Sequence, residues 1–235
     1  MVNACEGKES FQYTHSVSVI HIVEKIYMRL SDFNNPNTIE VTETYPFSHT
    51  NVLQEMEGVF VKRHTGQSVN AHVDLELATR ENVGVVFTSN VKSYMTDWNM
   101  HEHHESFARI GNIACKEAAR ISEKMFKPNM FVGESWGIIY NKGKHTKRHS
   151  HWPYTYAFGY YLTETKDSSP LIFPTANKKI WPKRGDLIIF PGHVQHEVPI
   201  LETETERLMV AGNIYHSWTE TKESKINNYF NKHNR

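Results

Sequence analysis

From Met130 onward the chain has little choice but to form β-structure. FVGESWGIIYN, YTYAFGYYL, PLIFP, DLIIFP, EVPIL and RLMVAGNIYH follow one another. Each is short and rich in β-branched and aromatic residues, and Gly, Pro or charged turns separate them. No run is long enough, or has the three-and-four spacing, to be a good helix. Many short strands at this spacing build a sandwich or a jelly roll.

The first half is more mixed. SVSVIHIVEKIYMRL (16–30) alternates at its start and could then turn helical, and SDFNNPNT (31–38) reads as a loop because Asn and Pro favour turns. TIEVTET, GVFVKRH, AHVDLEL and VGVVFTS read as further short strands. The period changes within 98–126. Phe107, Ile110, Ile113, Ala114, Ala118, Ile121 and Met125 recur at helical spacing, which predicts one amphipathic helix ended by Pro128. No linker separates this half, so the expected division is a supporting α/β extension over 1–129, a β core over 130–220 and a polar tail over 221–235.

Composition excludes several classes. Lys+Arg and Asp+Glu balance at 26 each, so no global charge points to nucleic acid or a membrane surface. No apolar run approaches a membrane span, and the N-terminus lacks a signal-peptide pattern. The two cysteines, Cys5 and Cys115, are too few and too far apart for a disulfide framework or a thiolate site. The expectation is a reduced, cytoplasmic protein. The unusual number is 15 histidines, most of which must be surface or packing residues.

Three of them form a pattern. His149 and His151 are two apart, so on one strand both rings face the same side. His196 follows DLIIFP and a turn, and could close a metal site from a neighbouring strand. Three protein ligands on one face leave positions open for other molecules. Arg207 then opens the strand RLMVAGNIY; a buried guanidinium there needs a carboxylate partner, which its rigid fork grips at two points. The plainer reading is an exposed arginine paired with Glu204 or Glu206. Tyr140 and Tyr161 sit on strands flanking the H-x-H, where each is either packing or a hydroxyl donor to a bound carboxylate.

At these residues a family resemblance becomes specific. SWGIIYNKGKH, HSH (149–151), GYYL (159–162), GDLIIFPGHVQHEV (185–198) and ERLMVAGN (206–213) resemble, in order and spacing, the iron(II)- and 2-oxoglutarate-dependent oxygenase superfamily, with a prolyl-hydroxylase-like pattern. The likeness covers roughly the C-terminal third of the chain. It implies a mainly β, double-stranded β-helix fold carrying an N-terminal α/β extension. It implies Fe(II) between His149, His151 and His196. It implies Arg207 on the far carboxylate of 2-oxoglutarate, with Tyr140 and Tyr161 at co-substrate positions. The implied reaction uses O2 to hydroxylate a C–H bond and releases succinate and carbon dioxide. The implied partner is a substrate, a protein residue or a small molecule. The chain departs from the superfamily's usual H-x-D/E at His151, where a third imidazole replaces a carboxylate and leaves the site one unit more positive.

The same residues fit a cupin in part. Gly143 and the H-x-H match its first motif, and Gly185, Pro191 and His196 match part of its second. The cupin Glu position holds Thr155 or Tyr156, and a cupin has no use for Arg207. A cupin would be a metal dioxygenase or isomerase, or a ligand-binding jelly roll without catalysis. HEHH (101–104) and the basic runs Lys142–Arg148 and Lys178–Arg184 read as solvated segments, and Trp152 and Trp181 as packing. His145 and His193 are spare imidazoles near the site.

Overall fold

The computed structural model of the protein describes residues 18–32, 35–63, 65–85, 89–122, 129–164 and 167–217, with side chains from residue 45. Cys5, Met125, Pro128 and the 221–235 tail lie outside the described residues. A hairpin of β1 (Ser18–Asp32) and β2 (Asn35–Asn51) leads to α1 (Leu53–Glu57). A small ribbon of β3 (Phe60–Lys62) and β4 (Ser68–Asn70) precedes α2 (Ala71–Glu81). Then come β5 (Gly84–Val85), β6 (Val91–Lys92), β7 (Tyr94–Met95), α3 (Met100–His103) and α4 (Glu105–Ser122). The last part is all strand: β8 (Asn129–Tyr140), β9 (His145–His149), β10 (Tyr156–Tyr161), β11 (Leu171–Phe173), β12 (Lys178–Ile180), β13 (Asp186–Pro191), β14 (His196–Val198) and β15 (Arg207–Ser217).

These strands form two facing antiparallel sheets. The major sheet runs β1-β2-β13-β10-β15-β8-β7-β5 and the minor sheet β12-β11-β14-β9-β6. The strand order jumps repeatedly between sequence-distant strands, as in a double-stranded β-helix. Strands from 1–129 join both sheets: β2 pairs with β13, β7 with β8, and β6 with β9.

The major sheet is buried on both faces, which is why β10 and β13 carry apolar residues at nearly every position. Alternation sorts them. Tyr156, Phe158, Tyr160, Leu187, Ile189, Leu208 and Val210 point outward onto the helices, against Met56, Leu75, Phe107, Ile110 and Ala114. Ala157, Tyr161, Ile188, Phe190 and Met209 point inward to Phe47, Leu171, Phe173 and Val198. One core therefore packs helices on sheet, and a second lies between the sheets.

The structure corrects several sequence expectations. Residues 18–30 stay extended throughout, and the predicted loop at 31–38 is largely strand, because the two segments pair in register from Ser18↔His49 to Asp32↔Asn35. AHVDLEL is not a strand but the start of α2. The Asn70 side chain accepts from the His72 and Val73 backbone N–H groups, and Ala71, Leu75 and Ala78 bury one helical face. The single helix over 98–126 is two helices, broken where His104 adopts an extended backbone (φ −130°, ψ 125°).

Candidate metal centre

Between the sheets lies a small cavity, part of it open to solvent. Its floor is the inner face of the major sheet. Period-two alternation brings Tyr140, Ile138 and Trp136 of β8 to this face, Tyr161 and Gly159 of β10, and Arg207, Met209 and Ala211 of β15. Val91, Thr146, Leu171 and Val198 come from the minor-sheet side, with the three histidines at one end.

His149 and His196 are direct partners across β9 and β14. The strand β9 ends at His149, so His151 is not on it as expected. It follows in a turn held by its backbone N–H donating to Gly192 O at 2.6 Å. The rings still converge: ring centroids are 4.3 Å apart for His149–His196, 4.9 Å for His151–His196 and 5.0 Å for His149–His151. One nitrogen from each ring lies within 4.8 Å of the others, and among the described residues no carboxylate or thiolate joins the cluster.

The hydrogen bonds assign the tautomers. His149 Nδ1–H donates to Lys147 O at 2.8 Å and His196 Nδ1–H to Val194 O at 3.3 Å. Each leaves Nε2 bare, and His151 Nε2 lies 3.2 Å from His196 Nε2. Burial lowers all three pKa values, with neighbouring imidazoles adding to it for His151 and His196. His151 falls to about 3. Three neutral imidazoles whose ring nitrogens converge on one point are the donor set of a divalent transition metal.

Arg207 is 0% exposed, and its side chain is not paired with its sequence neighbours. Glu204 binds Lys142 and Glu206 binds Arg80, each at 2.7 Å. The guanidinium instead donates to Ser169 O at 2.7 Å and to the Tyr161 hydroxyl at 3.2 Å. Its Cζ lies 5.2 Å from the centroids of both Tyr140 and Tyr161. Its buried Nε has no partner. A buried cation without a counter-charge costs several kcal/mol, about what a bound carboxylate would recover. Tyr140 bonds Thr146 Oγ1 at 2.6 Å, and burial raises the pKa of both tyrosines against the opposing pull of Arg207. Both are thus neutral phenols beside a fixed positive charge.

All six predicted site residues therefore line one cavity, the histidines at one end and Arg207 with the two tyrosines at the other. Sequence reasoning missed Trp136, whose indole stacks on His151 at 6.1 Å and whose buried Nε1 lacks a partner. It also missed Thr146, and Asn213 beside His151. Period-two reading of β8 and β15 from Tyr140 and Arg207 would have found Trp136 and Asn213. Other candidates lie elsewhere. His193 is exposed against Tyr45, His145 does not line the cavity, and His101 and His104 bond Ser135 and Asn82. The basic runs are partly neutralised, the first by Lys142–Glu204 and Arg148–Glu197 and the second by Arg184–Glu57. Trp152 and Trp181 are not packing residues: they are 76% and 50% exposed. Cys115 is buried, which pushes its thiol up to about 12 and makes it unreactive.

No protein-family model matches the chain, and no curated protein matches it either. Solved structures do. A Pseudomonas putida prolyl-4-hydroxylase is 14% identical over 74% of this chain and 94% of its own, with a TM-score of 0.54. The non-heme alpha ketoglutarate dependent epimerase SnoN from nogalamycin biosynthesis is 8% identical over 72% of this chain and 76% of its own, with a TM-score of 0.50. At such identities the likeness is one of fold. The chain has the mainly β, double-stranded β-helix fold expected from its sequence.

Proposed function

We propose that the protein is an iron(II)- and 2-oxoglutarate-dependent oxygenase that hydroxylates a C–H bond of a protein residue or small molecule. One observation carries this reading: a fully buried arginine with no carboxylate partner among the described residues shares a cavity with three converging neutral imidazoles. The metal site alone would suit many chemistries. The arginine adds the need for an anionic ligand reaching from the metal to the cavity's far end.

His149, His151 and His196 would hold the iron through Nε2, and Arg207 with Tyr161 would hold the distal carboxylate of 2-oxoglutarate. Bound together, iron, 2-oxoglutarate and O2 supply the oxidising power, with succinate and carbon dioxide as co-products. The chain's own work is binding and shielding. Arg207 grips the carboxylate at a fixed point, since Ser169 O and Tyr161 hold its fork. Ile138, Leu171, Val198 and Met209 exclude water around the co-substrate, which strengthens that ion pair. The cupin reading leaves Arg207 without a task.

The test is succinate production. Protein supplied with Fe(II), 2-oxoglutarate and O2 should form succinate above the level of iron in buffer, slowly even without the second substrate. Arg207→Leu should lower that rate steeply at limiting 2-oxoglutarate and less at high concentration. No succinate from the wild type, or an Arg207→Leu variant indistinguishable from it, would contradict the proposal.

A further inference from the structure

Among the described residues that line the cavity, two buried side-chain atoms have no hydrogen-bond partner: Arg207 Nε and Trp136 Nε1. Both nitrogens carry a proton and can only donate. They belong to opposite ends of the cavity. On the paired strands β8 and β15, Arg207 lies opposite Tyr140 and Ala211 lies opposite Trp136. Those two register positions are four residues apart, about 13 Å of strand. The Trp136 end is the metal end, because its indole stacks on the His151 ring, with centroids 6.1 Å apart and planes at 29°.

The fold holds this indole in place. Residues 96–99 run beside β8 and bond to it on either side of Trp136. Ser135 N donates to Trp98 O at 2.7 Å, Thr96 N to Gly137 O at 3.1 Å, and Gly137 N to Thr96 Oγ1 at 2.8 Å. These bonds fasten Trp98, whose ring centroid lies 4.8 Å from that of Trp136. Packed against both Trp98 and His151 and only 3% exposed, the indole keeps one orientation. A donor fixed in advance loses little freedom when an acceptor arrives.

The rest of the cavity wall offers Trp136 no side-chain acceptor. Val91, Ile138, Phe190, Val198 and Ala211 are apolar, and Tyr140 and Thr146 are bonded to each other. The acceptor must come with the ligand. Three neutral imidazoles bring no negative charge to a divalent cation, so an anionic group is favoured beside it, and a carboxylate oxygen accepts more than one bond. 2-Oxoglutarate has a carboxylate at each end, and the cavity has an unpaired donor at each end. We propose that Trp136 is a co-substrate-binding residue whose indole N–H donates to the carboxylate of 2-oxoglutarate at the metal end, as Arg207 takes the carboxylate at the other. This rests on the reading of the cavity as a site for a divalent metal and 2-oxoglutarate.

The experiment needs no turnover. Protein carrying 15N-labelled tryptophan and loaded with Zn(II), a diamagnetic stand-in, is titrated with 2-oxoglutarate and followed by the indole N–H signals in NMR. Trp136→Phe, which keeps a ring against His151 and removes the N–H, identifies the Trp136 signal; if that variant does not fold, replacing Trp98, Trp152, Trp181 and Trp218 one at a time identifies it by elimination. The Trp136 signal should move downfield as 2-oxoglutarate saturates. Trp136→Phe should leave Zn(II) affinity unchanged and weaken 2-oxoglutarate about 10–100-fold, the loss of a bond to a charged acceptor. Pyruvate has the same 2-oxo-carboxylate end and no far carboxylate. It should lose the same factor in Trp136→Phe and none in Arg207→Leu. An unmoved Trp136 signal at saturation, or wild-type 2-oxoglutarate affinity in Trp136→Phe, would overturn the inference. So would pyruvate binding that ignores Trp136→Phe, or a loss of Zn(II) affinity equal to the loss of ligand, which would make the ring a prop for His151. A wild type that binds no 2-oxoglutarate would instead overturn the reading beneath it.

Discussion

The two faces of the major sheet are built from alternate residues of the same strands, yet they treat polar groups in opposite ways. On the helix-covered face the two tyrosine hydroxyls of β10 have protein partners: Tyr160 bonds His72 Nδ1 at 2.9 Å and Tyr156 bonds Ser122 Oγ at 2.7 Å. On the cavity face the strands carry buried atoms without one, at Trp136 Nε1, Arg207 Nε and Asn213 Oδ1. A folded protein pairs its buried polar atoms because leaving one unpaired costs about 1–3 kcal/mol. Three on one face of two neighbouring strands mark where the chain is completed by something other than itself. The outer face stabilises the fold; the inner face stores the cost of being ready to bind.

That contrast can be broken by mutation. The largest effect should come from His149→Ala or His196→Ala. Either should weaken divalent metal binding by more than about 100-fold, beyond the range of outer partners, as read by calorimetry. The stability of the metal-free protein should barely change, since a neutral ring is lost. Next is Arg207→Leu. It should cost about 2–5 kcal/mol of 2-oxoglutarate binding while metal affinity stays as it was. The melting temperature of the ligand-free protein should hold or rise, because an uncompensated buried cation is gone.

Paired tyrosine variants sharpen the comparison. Tyr160→Phe should cost about 1–3 kcal/mol of stability by orphaning His72, with no change in 2-oxoglutarate affinity. Tyr161→Phe should do the reverse, weakening 2-oxoglutarate binding by about 0.5–1.5 kcal/mol through the lost bond to Arg207. Urea midpoints and ligand titrations on the same three samples, wild type and the two variants, would separate the faces. Equal effects from both tyrosines would erase the distinction.

The smallest effect is in pH. Burial, then the Arg184 charge, holds the His72 pKa below its unfolded value of about 6.5. Between the two values the unfolded chain binds more protons than the native one. Stability from this group is therefore complete above pH ~6.5 and declines as pH falls below it. Buried His151, at about 3, slopes the same way in the metal-free protein. His72→Gln should flatten the fall in urea midpoint between pH 7.5 and 5.5 in part, and a steeper fall would contradict the assignment.

Much of this was legible in the sequence, for a physical reason. Strand alternation is short-range, so the H-x-H, His196 and Arg207 could be read as facing one cavity before any coordinates. What escaped depends on longer-range or finer features. AHVDLEL looks like a strand until Asn70 is seen to cap it. His151 reaches the site from a turn beyond the strand end, which its spacing from His149 does not reveal. The extension's strands in both sheets depend on pairing far along the chain, between Val91 and Thr146 in the minor sheet and between Asn51 and Asp186 in the major one. Val132 faces the helices because of a bulge at Gly133 that no periodicity shows.

The most direct test of the central claim is anaerobic addition of 2-oxoglutarate to the Fe(II)-loaded protein, followed by visible absorption. The wild type should develop a weak metal-to-ligand charge-transfer band, and Arg207→Leu should need far more 2-oxoglutarate to reach it. Iron binding without a band, or an identical titration in the variant, would contradict the assignment of the two ends of the cavity.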